Sequence, residues 1–158
     1  SSSKGDVHES MNFAAIHKLP IVFCCENNAL AISVPQSKQM AIENVADRAA
    51  GYGFPGVVVD GMNPLAVYES ARAAVERARR SEGPTLIETK VYRYMPHTAR
   101  ERDPLKTFRE RLYVEQLLDE KSEAALEREI RAQVDDAADF ALHAPELDAP
   151  ATFAQVYG

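Results

Sequence analysis

Apolar positions along the chain follow two rhythms. Val7, Met11, Ala14 and Ala15 recur at the spacing of one helix face, and Lys18 and Pro20 end that segment. Residues 21–25 then form a continuous apolar run, which predicts a short strand buried on both sides. A polar turn at Glu26-Asn27-Asn28 and a loop through Val34-Pro35 follow. Residues 44–50 predict a short helix stopped by Gly51-Tyr52-Gly53, and residues 56–60 a second buried strand. Pro64 stands where the first position of a helix belongs. From there Val67, Ala71, Ala74, Val75 and Ala78 make an apolar stripe that Gly83-Pro84 terminates. Residues 85–92, rich in β-branched side chains, predict a third strand.

Beyond Asp103-Pro104 the pattern becomes charged and helical. Asp119 is placed to cap a long helix whose stripe is Leu126, Ile130, Val134, Ala137 and Ala141, with Pro145 past its end. Strands that are continuous apolar runs, alternating with helices, imply an α/β fold: a mostly parallel sheet with helices on both faces, followed by a C-terminal helical segment. We divide the chain into an α/β part at 1–98 and a helical part at 99–158. Sheets of this kind carry ligands in the loops at the carboxyl ends of their strands. That directs attention to residues 26–30 and 93–98.

Composition narrows the classes. The 158 residues are 46% hydrophobic and 27% charged, enough to bury one ordinary core. A formal net charge of −6 and an isoelectric point near 5.2 argue against a polyanion binder, so no nucleic-acid partner is expected. No apolar run approaches the roughly 20 residues that span a bilayer, so no membrane association is expected either. Cys24 and Cys25, the only cysteines, are adjacent and on a strand would point to opposite faces; they read as buried free thiols suited to a reducing compartment. A bacterial-like cytoplasmic location is expected, or a mitochondrial matrix if the source is eukaryotic. The chain opens at Ser1-Ser2-Ser3 without an initiator Met, which leads us to expect further sequence upstream.

The chemistry concentrates in Asn27-Asn28 at the exit of a strand. Asn tolerates left-handed backbone and is common in plain turns, yet an Asn carbonyl and a free backbone carbonyl are also the hard oxygens that Mg²⁺ prefers when it bridges a diphosphate. His97, after the third strand, has a side chain able to donate to a phosphate or carboxylate, or to shuttle a proton, near neutral pH. His8 and His17 have no metal-ligand spacing and read as structural, as do the acidic residues of the long helix. Arg79-Arg80 reads as a charge pair favoured by the carboxyl end of its helix.

Several ordered motifs carry a family resemblance. Ser3-x-Gly5-Asp6, Asn12-Phe13-Ala14-Ala15, Leu19-Pro20 and the run 26–35, Glu-Asn-Asn-Ala-Leu-Ala-Ile-Ser-Val-Pro, resemble the thiamine-diphosphate motif of the α subunits of 2-oxo acid dehydrogenases. The likeness continues through Asn44-x-x-Asp47-Arg48, Tyr52-Gly53-x-Pro55-Gly56, Asp60-Gly61, Gly83-Pro84-Thr85-Leu86-Ile87-Glu88 and Tyr92-Arg93-Tyr94-x-Pro96-His97-Thr98, and reaches Asp103-Pro104-Leu105 and Val156-Tyr157. Within that family the chain looks most like the branched-chain (2-oxoisovalerate) enzymes, with pyruvate or acetoin dehydrogenase second. A non-catalytic α/β module that kept the fold is a third reading.

The resemblance implies a thiamine-diphosphate-binding fold and a cofactor pair, thiamine diphosphate and Mg²⁺. It casts Asn28 as the side-chain Mg²⁺ ligand and Leu30 as the residue whose main-chain carbonyl completes the coordination. Ser1 would meet the diphosphate through its backbone N–H, Glu26 would lie beside the metal loop, and His97 would be the active-site histidine over the cofactor. Thr98 stands where animal relatives carry a regulatory serine. The implied partners are an E1 β subunit in an α2β2 heterotetramer, a lipoyl-bearing E2 acyltransferase and a 2-oxo acid substrate. Two departures are visible: the acidic ligand of the motif's opening triplet would lie before Ser1, and only residues 99–102 separate His97-Thr98 from Asp103-Pro104, where the family has a longer loop. Either the protein has lost that loop or residues are missing at the Ala99–Arg100 junction; we expect the second, since Arg100-Glu101-Arg102 reads like the end of a charged helix.

Overall fold

The computed structural model describes residues 2–92, 103–146 and 148–157. Ser1, Arg93, His97, Thr98 and the Ala99–Arg100 junction lie outside them.

The first compact unit runs from Ser1 to Glu110. Its described elements are helix α1 (Gly5–Ile16), strand β1 (Val22–Asn27), the short strands β2 (Leu30–Ala31) and β3 (Val34–Pro35), single 3₁₀ turns at Gln36–Lys38 and Val45–Asp47, helix α2 (Arg48–Gly51), strand β4 (Gly56–Asp60), helix α3 (Pro64–Arg79) and strand β5 (Thr85–Lys90). The main sheet has the order β1-β5-β4, and both pairings are parallel. Its strands and crossover helix fall where the apolar runs place them. Asn63 caps α3 by accepting from the Leu65 and Ala66 N–H groups at 3.2 and 3.3 Å, and Pro64, lacking an N–H, costs nothing in the first turn.

Successive residues of the central strand β5 point to opposite faces, and each face has its own core. Leu86 packs with Met11, Val45, Ala49 and Phe54, so α1, α2 and the turn before it cover one side. Ile87 packs with Val59 and Ala74, with Val67 and Ala71 of α3 against them on the other side. A parallel sheet with helices on both faces is thus the observed architecture.

Three details differ from the sequence reading. Among the described residues only β5 has a neighbour on each side, and it is buried over residues 85–88; β1 and β4 each pair with β5 alone, and Val57 and Val58 are 36% and 44% exposed. Nor are the cysteines buried thiols: Cys24 is exposed and Cys25 half-buried. The stretch around Val34-Pro35 is not a loop but a hairpin, β2 against β3, closed by Ile32 and Ser33.

The second compact unit covers Arg111–Gly158. Helix α4 (Pro104–Val114) runs into it, and α5 (Glu120–His143) and α6 (Ala149–Tyr157) belong to it. Asp119 caps α5 as expected, its carboxylate accepting from the Ser122 N–H at 2.7 Å while the Ser122 hydroxyl accepts from the Asp119 N–H. Leu126, Ile130 and Val134 are 49%, 50% and 61% exposed.

Candidate functional site

The register puts the carboxyl ends of all three parallel strands side by side: Asn27 and Asp60 both lie opposite Lys90. The Val91 N–H donates to the Asn27 carbonyl at 3.0 Å, and the Gly61 N–H to the Lys90 carbonyl at 2.9 Å, so the strands are held together to their last residue. The chain leaves β1 through two overlapping Asx turns. Asn27 Oδ1 accepts from the Ala29 N–H at 2.8 Å, and Asn28 Oδ1 from the Leu30 N–H at 3.1 Å. Ala29 takes the left-handed conformation, φ 60°, that reverses the chain into β2.

This geometry fixes what the loop's oxygens can do. The Gln36 N–H donates to the Ala29 carbonyl at 2.9 Å, which makes that pair a hydrogen-bonded rung of the hairpin. Leu30, paired with Pro35, is therefore a non-bonded position, and its carbonyl is left out of the ladder. Asn28 Oδ1 has used one of two lone pairs. Both oxygens belong to residues lining a concavity of about 90 Å³, which Ser2, Glu26 and Gln36 also line. Carbonyl and amide oxygens of this kind suit Mg²⁺ with its remaining positions filled by diphosphate and water. Among the described residues no cluster of His, Cys, Asp and Glu is built to hold a metal by itself.

Of the site residues read from the sequence, Glu26, Asn28 and Leu30 come together here. Ser1 and His97 fall outside the described residues, although Ser2 reaches the concavity. The first helical N–H groups belong to Gly5 and its successors, since α1 opens behind Lys4 rather than at Ser1. Arg48 ties the N-terminal turn in place by donating from Nη1 to the Ser2 carbonyl. His8 and His17 lie away from the loop, His8 meeting the Tyr52 hydroxyl through Nδ1 and His17 packing its ring 4.4 Å from that of Phe13.

One buried residue at the site escaped the sequence reading. Glu88 has no solvent exposure at all, and its carboxylate accepts from three donors: Asn27 Nδ2 at 2.5 Å, Lys90 Nζ at 2.7 Å and the Ala46 N–H at 2.8 Å. Burial pushes its carboxyl up, but the bonds from Lys90, Asn27 and Ala46 outweigh that and hold it below the ordinary glutamate range. Burial and the nearby Glu88 charge push the Cys25 thiol up, so Cys25 is no reactive thiolate. The sequence signal for Glu88 is a charge in phase with Leu86 on the most buried strand.

Comparison with known proteins fits this arrangement. A profile described as dehydrogenase E1 component matches residues 1–150. The chain belongs to the dehydrogenase E1 component family. Among its E1 relatives, the 2-oxoisovalerate dehydrogenase subunit alpha of Bacillus subtilis (strain 168) is 50% identical over 161 residues, covering 92% of this chain and 49% of that protein. The pyruvate dehydrogenase E1 component subunit alpha of Staphylococcus aureus (strain Mu50) is 52% identical over 105 residues, or 66% of this chain and 28% of that protein. Its Staphylococcus epidermidis counterpart is 51% identical over the same length. The E1 chain described here thus spans at most about half the length of these relatives. No helix among its described residues is long and apolar enough to cross a membrane.

Proposed function

We propose that this chain is part of the α subunit of a branched-chain 2-oxo acid dehydrogenase E1, and that the turn after β1 is its half of a Mg²⁺–thiamine-diphosphate site. The supporting observation is the pair of oxygens at residues 28 and 30, one amide and one main-chain carbonyl, on one concavity at the carboxyl end of a parallel sheet. Asn28 Oδ1 and the Leu30 carbonyl hold the metal, Ser1 meets the diphosphate through its N–H, and Glu26 borders the metal loop. His97 acts at the reacting end, donating to the 2-oxo carboxylate or moving a proton. The bound cofactor supplies the decarboxylation chemistry; the protein supplies position and electrostatics. Partners are an E1 β subunit in an α2β2 assembly and the lipoyl group of an E2 acyltransferase, which takes the acyl product in the cytoplasm.

Identity over 92% of the chain with a subunit named for 2-oxoisovalerate favours a branched-chain substrate. A second reading, pyruvate, rests on the 52% identity, over 66% of this chain, to subunits named for that substrate. Decarboxylation by the full-length subunit assembled with its β chain, supplied with thiamine diphosphate and Mg²⁺, separates them. We expect kcat/KM to be higher for 2-oxoisovalerate than for pyruvate. The reverse order favours the second reading, and a complex that neither turns over nor binds cofactor is a non-catalytic module.

A further inference from the structure

Resting on the metal-loop reading above, we propose that Glu88 is a positioning residue that orients Asn27 and so sets the metal-binding turn. The carboxylate is buried without exposure and meets only donors. An ionised carboxylate accepts and never donates, so the side of the Asn27 amide facing it has to be the NH₂. Gln36 repeats the constraint, since its Oε1 accepts from the same Asn27 Nδ2 at 2.7 Å while its own amide donates to the Glu43 carbonyl at 2.6 Å. With its NH₂ fixed between two oxygens, Asn27 can only aim Oδ1 at the Ala29 N–H, and that bond starts the left-handed turn leading to Leu30. Through the Ala46 N–H, the same carboxylate joins this turn to the segment carrying Arg48, which holds Ser2. Glu88 thus links both backbone segments that border the concavity without lining it itself.

A glutamine at this position keeps the shape and breaks the logic. It sets an NH₂ against one of three donors, so Gln36 Oε1 alone is left to hold the Asn27 amide firmly and the Asn27 bond to the Ala29 N–H loosens. Residues that orient metal ligands in this indirect way typically change affinity by about 10- to 100-fold when altered. A role confined to stability would move the melting temperature alone.

The test uses the full-length α subunit assembled with its β chain and saturated with thiamine diphosphate, with Mg²⁺ affinity measured by calorimetry below the melting transition. Glu88→Gln is expected to weaken Mg²⁺ binding by about tenfold or more. Asn27→Ser, at a half-buried position, is expected to do the same and stands in if Glu88→Gln does not fold. Val59→Ala, in the core on the opposite face of the sheet, controls for stability: it should lower the melting temperature and leave Mg²⁺ affinity unchanged. Wild-type Mg²⁺ affinity in Glu88→Gln or in Asn27→Ser, while Asn28→Ala is weakened, would overturn the positioning role and spare the metal-loop reading. Wild-type affinity in Asn28→Ala would overturn the reading on which it rests. Equal loss of affinity in Val59→Ala would reduce the effect to general destabilisation and overturn the proposal as well.

Discussion

At the scale of single residues, the contrast between Asn28 and Glu88 separates what the sequence discloses from what it withholds. Asn27-Asn28 on its own reads as a plain turn as readily as a ligand pair, and it is visible because the motif around it resembles a known cofactor loop. Glu88 is visible only as a charge on a strand. Its partners are 61 positions away at Asn27 and 42 at Ala46, and no local pattern announces them. The buried carboxylate has a measurable signature. Its proton affinity in the folded state lies below the ordinary value, near 4.3 for a free glutamate. The stability this contributes is therefore present above that value and is lost as pH falls through the lower, folded-state value. Urea midpoints of the full-length subunit should drop between about pH 5 and 3, and the drop should be shallower in Glu88→Gln. Equal slopes for the two proteins would mean that Glu88 titrates no differently when folded.

At the scale of elements, the strands and the crossover helix were legible from the run lengths and from Pro64 at the helix start. Strand order was not, so the sequence does not tell that, among the described residues, β1 and β4 each pair with β5 alone. Apolarity of a run reflects both its faces and says nothing of its neighbours. The β2–β3 hairpin was illegible for a local reason: its turn is Ile32-Ser33, without the Asn-Gly or Asp-Gly pair that marks such turns, and Ile32 takes φ 57°, a conformation β-branched residues avoid. Two substitutions separate elements that only support the fold from those that shape the site. Asn63→Ala removes the α3 cap and should cost roughly 1 kcal/mol of stability without touching metal affinity. At Gly56 an added Cβ would come within 2.0 Å of the Ala46 carbonyl oxygen, so Gly56→Ala has to push the Val45–Asp47 turn away from Glu88. We expect a loss of about 1–3 kcal/mol together with weaker Mg²⁺ binding. Denaturant titration and calorimetry on both variants check this, and a Gly56→Ala protein with intact metal affinity would uncouple that turn from the site.

At the scale of the whole molecule, family membership was carried by ordered motifs spread from Ser3 to Tyr157, and the profile match to residues 1–150 bears it out. Fold class followed from the alternation of strands and helices. Substrate choice was not legible, because the chain spans about half of the 2-oxoisovalerate relative and is similarly identical to relatives named for pyruvate. The functional reading proposed for the chain rests on the turn after β1, with the Asn28 amide oxygen and the Leu30 carbonyl beside one concavity. The most direct measurement is the Mg²⁺ affinity of the full-length α subunit, assembled with its β chain and saturated with thiamine diphosphate, compared with that of Asn28→Ala. Losing one hard oxygen ligand should weaken Mg²⁺ binding by at least about tenfold while the complex stays assembled. An unchanged affinity would contradict the assignment of the Asn27–Leu30 turn as a metal site.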